Sequence, residues 1–493
     1  MAKRDPMPDG YDETLRAMVR VRRARAPGAE ESRRIAKARE LALDCASCGR
    51  LGELTELLRE WGPALEPDWA MARGEKTLIA AALGCADEGA ALACAKALLA
   101  AGFDPSLPNA EGATPLLSAA ARGSRRLIDW ALGAGARISL PRGAVERADN
   151  SEPICALATA LECDQGEAFW TLEARVELSP MQRARLIEVA ARDGAPSVAI
   201  EMLERAEWRE AVGVADARRG RATILMLAAL NGGSRGPAAV ELISKLLPLS
   251  NPAEVRSLRP EGTPREAYRV AQTAASCALN GSWGEEVVEV LALLRGAGAS
   301  LERMPGQDLS LLHLAAMRAP REVADWLMSK GASPSERDVK GREPLLIAIQ
   351  TLNLAAFEAL LPVSDPNGKD GGGTSCLGWC ARMLGNAGEV SRAMAAMLIA
   401  AGARVDCPCG EPAMTPLARA VLEENMEVFE VLVDNASELQ ISAELERLSK
   451  VGGEWLDANG SGRRAEMISV LEQRAMASIA CGAGEARGSR LRL

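Results

Sequence analysis

Gly112-Ala113-Thr114-Pro115-Leu116-Leu117-Ser118-Ala119-Ala120 decides how this chain is read, because the stretch returns in degraded form about ten times. Thr can cap a helix start through its hydroxyl, and Pro is preorganised for the first helical turn. The leucines and alanines that follow make a short apolar helix whose small positions let a neighbouring helix approach closely. A second clear copy, Ser310-Leu311-Leu312-His313-Leu314-Ala315-Ala316, carries the one histidine among 493 residues.

Aligning on the threonine slot gives Lys76, Thr114, Glu152, Arg185, Thr223, Gln272, Ser310, Glu343, Ser375 and Thr415. Successive slots lie 38, 38, 33, 38, 49, 38, 33, 32 and 40 residues apart. Each unit also needs a second helix ending in aliphatics and a glycine that opens the next hairpin. Leu98-Leu99 leads to Gly102, Trp130-Ala131-Leu132 to Gly135, Leu293-Leu294 to Gly298, Trp326-Leu327-Met328 to Gly331, and Met397-Leu398 to Gly402. Glycine suits a helix end that enters a left-handed turn. A partial unit, Cys45-Ala46-Ser47-Cys48-Gly49 followed by Leu54, Leu57, Leu58 and Gly62, opens the series.

This pattern resembles the ankyrin repeat family, whose motif T-P-L-H-x-A recurs at about 33 residues. The resemblance implies an all-α fold: an ankyrin-repeat solenoid of helix–turn–helix units with short hairpin loops. Only Thr114-Pro115 and Thr415-Pro416 keep both opening residues, and the histidine slot holds Ile79, Leu117, Cys155, Glu188, Met226, Ala275 and Leu346 elsewhere. In the family that histidine ties neighbouring turns together, which implies a structural role for His313. The family's partners contact hairpin tips and the inner face of each first helix. Carried over, this implies tips at Asn109 and Glu111, and at Glu336, Arg337, Asp338 and Lys340. Inner-helix positions fall at Arg122, Arg192 and Arg318.

Four segments follow. Residues 1–40, with Arg16, Arg20, Arg22, Arg23, Arg25, Arg33 and Arg34 among Asp5, Asp9, Asp12 and Glu13, read as a helical N-terminal extension and not a targeting peptide. Residues 41–436 form the array, of about 10–11 units, irregular at 141–215 and 248–272. In the latter, Pro248, Pro252, Pro260 and Pro264 block a continuous helix and predict a long loop, open to a binding role. Residues 437–480 read as a C-terminal helical cap with Leu445, Leu448, Val451, Met467, Val470 and Leu471 facing inward. Residues 481–493 read as a disordered tail.

Composition narrows the function. A formal net charge of −9 counts against nucleic acid as the main partner. The most apolar run, Ala81–Gly102, is interrupted by Asp87, Glu88 and Lys96, so no membrane insertion is expected. Twelve cysteines without framework spacing suit a reducing, cytoplasmic setting. Cys45, Cys155, Cys277 and Cys380 fall at small buried positions of their repeats.

Catalysis lacks its usual instruments: one histidine, no G-x-S-x-G and no phosphate-loop motif. Gly371-Gly372-Gly373-Thr374-Ser375 reads as a turn, with phosphate binding as the alternative. Cys45-x-x-Cys48 lacks a second pair. Cys376, Cys380, Cys407 and Cys409 could converge on zinc, against the simpler reading of buried packing. Glu423, Glu424, Glu427, Glu430 and Asp434 read as a solvated helix face, or else a landing patch for a basic peptide.

The expectation is a monomeric, non-catalytic scaffold that binds another protein and needs no cofactor. An adaptor or host-directed effector using the array for targeting is the alternative. The competing class is an enzyme within 141–215.

Overall fold

A computed structural model describes residues 29–65, 77–107, 114–138, 155–218, 222–232, 236–258, 270–281, 283–301, 309–383, 388–407, 410, 414–450 and 462–489. The chain divides into two units, Met1–Glu201 and Met202–Leu493.

In the first unit, short helices α1 (Ala29–Ser47), α3 (Leu78–Leu83), α5 (Pro115–Arg122), α7 (Ala156–Glu162) and α9 (Pro180–Asp193) pack each on the next. A parallel row of second helices follows them: α2 (Leu51–Trp61), α4 (Glu88–Ala100), α6 (Arg125–Gly133) and α8 (Gly166–Glu173). All six residues of α3 are buried, as an apolar helix wedged between neighbours must be. Helix α10 (Pro196–Glu204) crosses the limit of the unit.

The second unit opens with α11 (Ala206–Asp216) and repeats the same scheme. First helices α12 (Ile224–Leu230), α14 (Ala274–Asn280), α16 (Leu311–Arg318), α18 (Pro344–Thr351), α20 (Cys376–Arg382) and α22 (Pro416–Leu422) pack in order. Beside them run α13 (Gly236–Leu246), α15 (Val287–Gly296), α17 (Arg321–Ser329), α19 (Leu354–Leu360), α21 (Gly388–Ala400) and α23 (Met426–Asn435). Two further helices, α24 (Glu438–Lys450) and α25 (Gly462–Ser489), pack on each other and on α22 and α23. Ile441, Leu448, Met467 and Leu471 are the buried side chains that fasten them. Gly102, Gly135, Gly298, Gly331 and Gly402 after the second helices have φ of 90, 103, 100, 99 and 97°, the left-handed turn that a side chain resists.

Several expectations need correction. The caps at four repeats are Thr77, Cys155, Ser179 and Thr273, not Lys76, Glu152, Arg185 and Gln272. A helix starts where a side chain can accept the N–H three residues on. Thr77 accepts from Ala80 at 3.2 Å and Thr273 from Ser276 at 3.2 Å, whereas matching the apolar run alone allows a shift. At Ser179 a capping box with Gln182 begins α9 two turns earlier than expected.

The limit at residue 40 falls inside α1, which packs on α3 as part of the first unit's stack. Residues 1–28 lie outside the described residues. Residues 155–216 are helical apart from turns, but α11 is a third helix that breaks the pairing. At the two ends of the proline-dense insertion β1 (Arg256–Leu258) pairs antiparallel with β2 (Val270–Gln272), a short departure from helix among the described residues; residues 259–269, with Pro260 and Pro264, lie outside them. Arg256 anchors the paired strands, donating to the carbonyls of Arg218 at 3.1 Å and Asp216, with Glu254 at 2.6 Å. The segment after residue 480, expected to be disordered, continues α25 to Ser489.

Candidate partner-binding surface

The hairpin tips of the second unit are built to one plan with different side chains. Gly341, Gly373 and Gly410 turn the backbone with φ of 70, 78 and 79°. Three residues before the first two glycines stand Asp338 and Asp370. Asp338 accepts the backbone N–H of Lys340 (2.9 Å) and Arg342 (2.8 Å) and the Arg342 guanidinium (2.7 Å). Asp370 accepts the N–H of Gly372 (3.0 Å) and Thr374 (2.8 Å) and the indole N–H of Trp379 (2.9 Å). The indole thus does at one tip what the guanidinium does at the other.

Burial pulls the Asp338 carboxyl upward, but the N–H donors and Arg342 outweigh it and hold it below the ordinary carboxylate value. The tips are then joined: the Gly371 N–H donates to the Lys340 carbonyl at 2.7 Å, and the Gly410 N–H to the Gly373 carbonyl at 3.1 Å.

His313 links helix to tip. It is fully buried, with Nε2 2.9 Å from the Arg342 carbonyl and Nδ1 2.7 Å from the Ser310 hydroxyl. A carbonyl only accepts, so Nε2 carries the proton and Nδ1 receives the Ser310 N–H at 3.3 Å. Both ring nitrogens are occupied in holding the fold, as the resemblance implied. Asn353 does comparable work by donating to the carbonyls of Ala316 (3.3 Å) and Ala319 (2.9 Å).

The expected contact residues fare unequally. Arg318 is exposed at the end of α16 and Lys340 is exposed at its tip. Arg337 is exposed and donates to the buried Glu343 at 3.2 Å; Glu336 is half-buried. Asp338 is misread as a contact: its side chain is 0 % exposed and ligated by Arg342, so a partner cannot reach it. In the first unit Arg122 is half-buried and donates to the Ala86 carbonyl. Arg192 is held by Asp193 at 2.8 and 3.0 Å. Asn109 and Glu111 lie outside the described residues.

Two alternatives lose ground. Every N–H from Gly371 to Thr374 is already donated, to the Lys340 carbonyl or to Asp370, so this glycine run has no amide left for a phosphate. Cys376 is buried with its thiol 3.5 Å from the Gly368 carbonyl, and burial pushes it well above an ordinary thiol. Cys380 is pushed up to about 12 by burial. A zinc site needs thiolates; Cys409 lies outside the described residues, and among those described no group of three or more metal-ligating side chains converges.

The second helices offer a different surface. Arg126 pairs with Glu88 (3.4 Å), Arg175 with Asp129 (2.8 Å), Arg321 with Glu358 (3.7 Å) and Arg392 with Glu430 (3.3 Å), each across to a neighbouring helix. Such exposed pairs contribute about 0–1 kcal/mol each, but they cancel local charge. Glu430 therefore belongs to this lacing and not to an open acidic patch.

Sequence reasoning missed Trp379, Asp370 and Arg382. Trp379 is half-buried beneath Arg382, whose guanidinium lies 4.7 Å from the ring centroid. The available signal was the matching interval, Asp338 to Gly341 and Asp370 to Gly373, which places both aspartates at equivalent tips.

Among the described residues no helix is long and apolar enough to cross a membrane. No curated protein matches this chain. Residues 312–361, which hold nearly all of α16 and the whole of α17 to α19, match the family model for ankyrin repeats (many copies), and this supports reading the chain as an ankyrin-repeat protein.

Proposed function

We propose that this chain is a non-catalytic protein-interaction scaffold, in which both runs of helix pairs are ankyrin repeats forming a solenoid. A partner is held along the hairpin tips and inner first-helix ends. The observation that carries this is the tip-to-tip and helix-to-tip bonding around Lys340, Gly371 and His313. It fixes exposed side chains on a rigid frame, which lowers the ordering cost of association. The paired charges on the second helices favour the tip side as the face left for recognition. All described cysteines are free thiols, in keeping with a reducing compartment.

Affinity capture with the full chain, read by mass spectrometry, tests the proposal. Arg318→Glu with Lys340→Glu should remove the captured partner, while Arg126→Glu on a second helix should not. Equal capture by all three proteins would discard the tip-side assignment. Turnover of a substrate traced to residues 141–215 would discard the non-catalytic reading.

A further inference from the structure

In the second unit, four cations on the tip side stand without a carboxylate partner among the described residues, within a chain of formal net charge −9. Three carboxylates at these tips are already occupied. Asp338 is bound by Arg342, Glu343 receives Arg337, and Asp370 takes two backbone N–H groups and the Trp379 indole. Lys340, Arg318 and Arg382 are exposed and Lys369 is half-exposed, and none of the four pairs with a carboxylate of the described residues.

Two apolar groups stand among these cations. Val339, at the tip beside Lys340, is 69 % exposed. The half-buried Trp379 ring lies under Arg382. The arrangement is continuous: Gly371 bonds to Lys340, Trp379 to Asp370 in the same tip, and Arg382 covers Trp379. Arg318 lies five residues along α16 from His313, which is bonded to the Arg342 carbonyl.

We propose that this face docks an acidic peptide segment of a partner protein. The partner's carboxylates meet Lys340, Lys369, Arg382 and Arg318, and one apolar side chain rests against Val339 and Trp379. The proposal rests on the scaffold reading above and names the chemistry of its partner. Arg and Trp are the side chains that most often dominate binding energy, especially where held in one geometry. Unpaired cations around them select for negative charge and speed encounter. Nucleic acid is the less favoured class, because a single aromatic ring gives no platform for stacking successive bases.

The test is selection on the full chain from a displayed library of random peptides about 15 residues long. Enriched peptides should be net acidic with a Leu, Phe or Trp, and should bind more weakly as salt rises. Lys340→Glu with Arg382→Glu should weaken them roughly tenfold or more, and Lys340→Gln with Arg382→Gln less so. Circular-dichroism melts should match the parent, since both side chains are exposed.

Enrichment of neutral or basic peptides, no enrichment, or binding indifferent to these changes would each overturn the proposal. So would a single-stranded oligonucleotide that binds as tightly and responds to the same substitutions. A partner protein still captured by the reversed variant leaves the scaffold reading intact without the acidic site. Capture of no protein by any form sinks both.

Discussion

Replacing His313 with Leu isolates what the polar link between helix and tip contributes. Leu fills a similar volume in a position that is 0 % exposed, and Leu346 already occupies the corresponding slot of the next repeat. Packing is therefore nearly conserved and the loss is mainly of hydrogen bonds. Two go: Nε2–H to the Arg342 carbonyl at 2.9 Å, and the contact of Nδ1 with Ser310 at 2.7 Å. The Ser310 N–H, which points at Nδ1 from 3.3 Å, is left without that acceptor in a buried setting. At about 1 kcal/mol per net bond, with a further 1 kcal/mol or so for the stranded donor, the substitution should cost about 2–3 kcal/mol.

A stack of repeats need not unfold in one step, so the assay should report locally. Native-state hydrogen exchange should show faster exchange at Lys340, Arg342 and Gly371, whose amides are bonded within or between the tips, with urea denaturation giving the total. Unchanged exchange at those amides, with an unchanged denaturation midpoint, would refute the argument that His313 holds the tip.

Three further outcomes are expected. Gly341→Ala should destabilise the same tip by about 1–3 kcal/mol, because φ is +70° and the added carbon would lie 2.8 Å from the Gly371 nitrogen; a thermal melt equal to the parent's would count against it. Alkylation with iodoacetamide should modify the exposed Cys48 well before Cys277 and Cys380, which burial pushes up to about 12; comparable rates under native conditions would show that the helix stack opens readily. Glu444 is buried on α24, and that burial raises its carboxyl above the ordinary 4.5 even though Thr415 and Arg447 pull the other way. The folded protein therefore binds this proton more tightly than the unfolded chain, and stability falls as pH rises from the ordinary value through the raised one. Glu444→Gln should raise the melting temperature at neutral pH and lose that advantage in acid; an advantage of equal size at both pH values would disprove the assignment.

Much of the helical scheme could be read from residues whose chemistry is local. Glycine after five of the second helices (Gly102, Gly135, Gly298, Gly331 and Gly402) and Thr or Ser before several first helices announce themselves, because a positive φ and an N-cap are requirements on one or two residues. Cap positions went wrong where a different side chain met the same need. Cys155 caps α7 by accepting the Ala158 N–H at 3.3 Å, a role that a search for Thr passes over. The pairing of 256–258 with 270–272 was illegible for another reason. Its strands pair across 12 to 16 residues, and Arg256 grips the end of α11 across 40, so neither contact is written in a local pattern.

At the tip side, Arg318 and Lys340 were visible as exposed charges, but Asp338 was not visible as a buried one. Nothing in its own neighbourhood says that Arg342 will fold back over it.

The same reasoning accounts for the narrow span, residues 312–361, over which the family pattern is matched. The repeats there keep His313 and slots 33 and 32 residues apart. Elsewhere the intervals stretch and the characteristic side chains are exchanged, yet the helices still pack in two rows within each unit. At each of two tips a donor is aimed at an aspartate: a guanidinium at the buried Asp338 and an indole N–H at the half-buried Asp370. Sequence identity can therefore drift while atom positions persist. Each exchange also leaves its mark on the surface: Trp379, taken on as a prop for Asp370, presents a ring face that Arg342 does not. Exchanging the two solutions, with Trp379→Arg, should keep the tip folded while removing the apolar half of the proposed docking face. Peptides selected on the parent should then lose affinity without any change in the melting curve; loss of the fold instead would mean that the indole and guanidinium are not equivalent props.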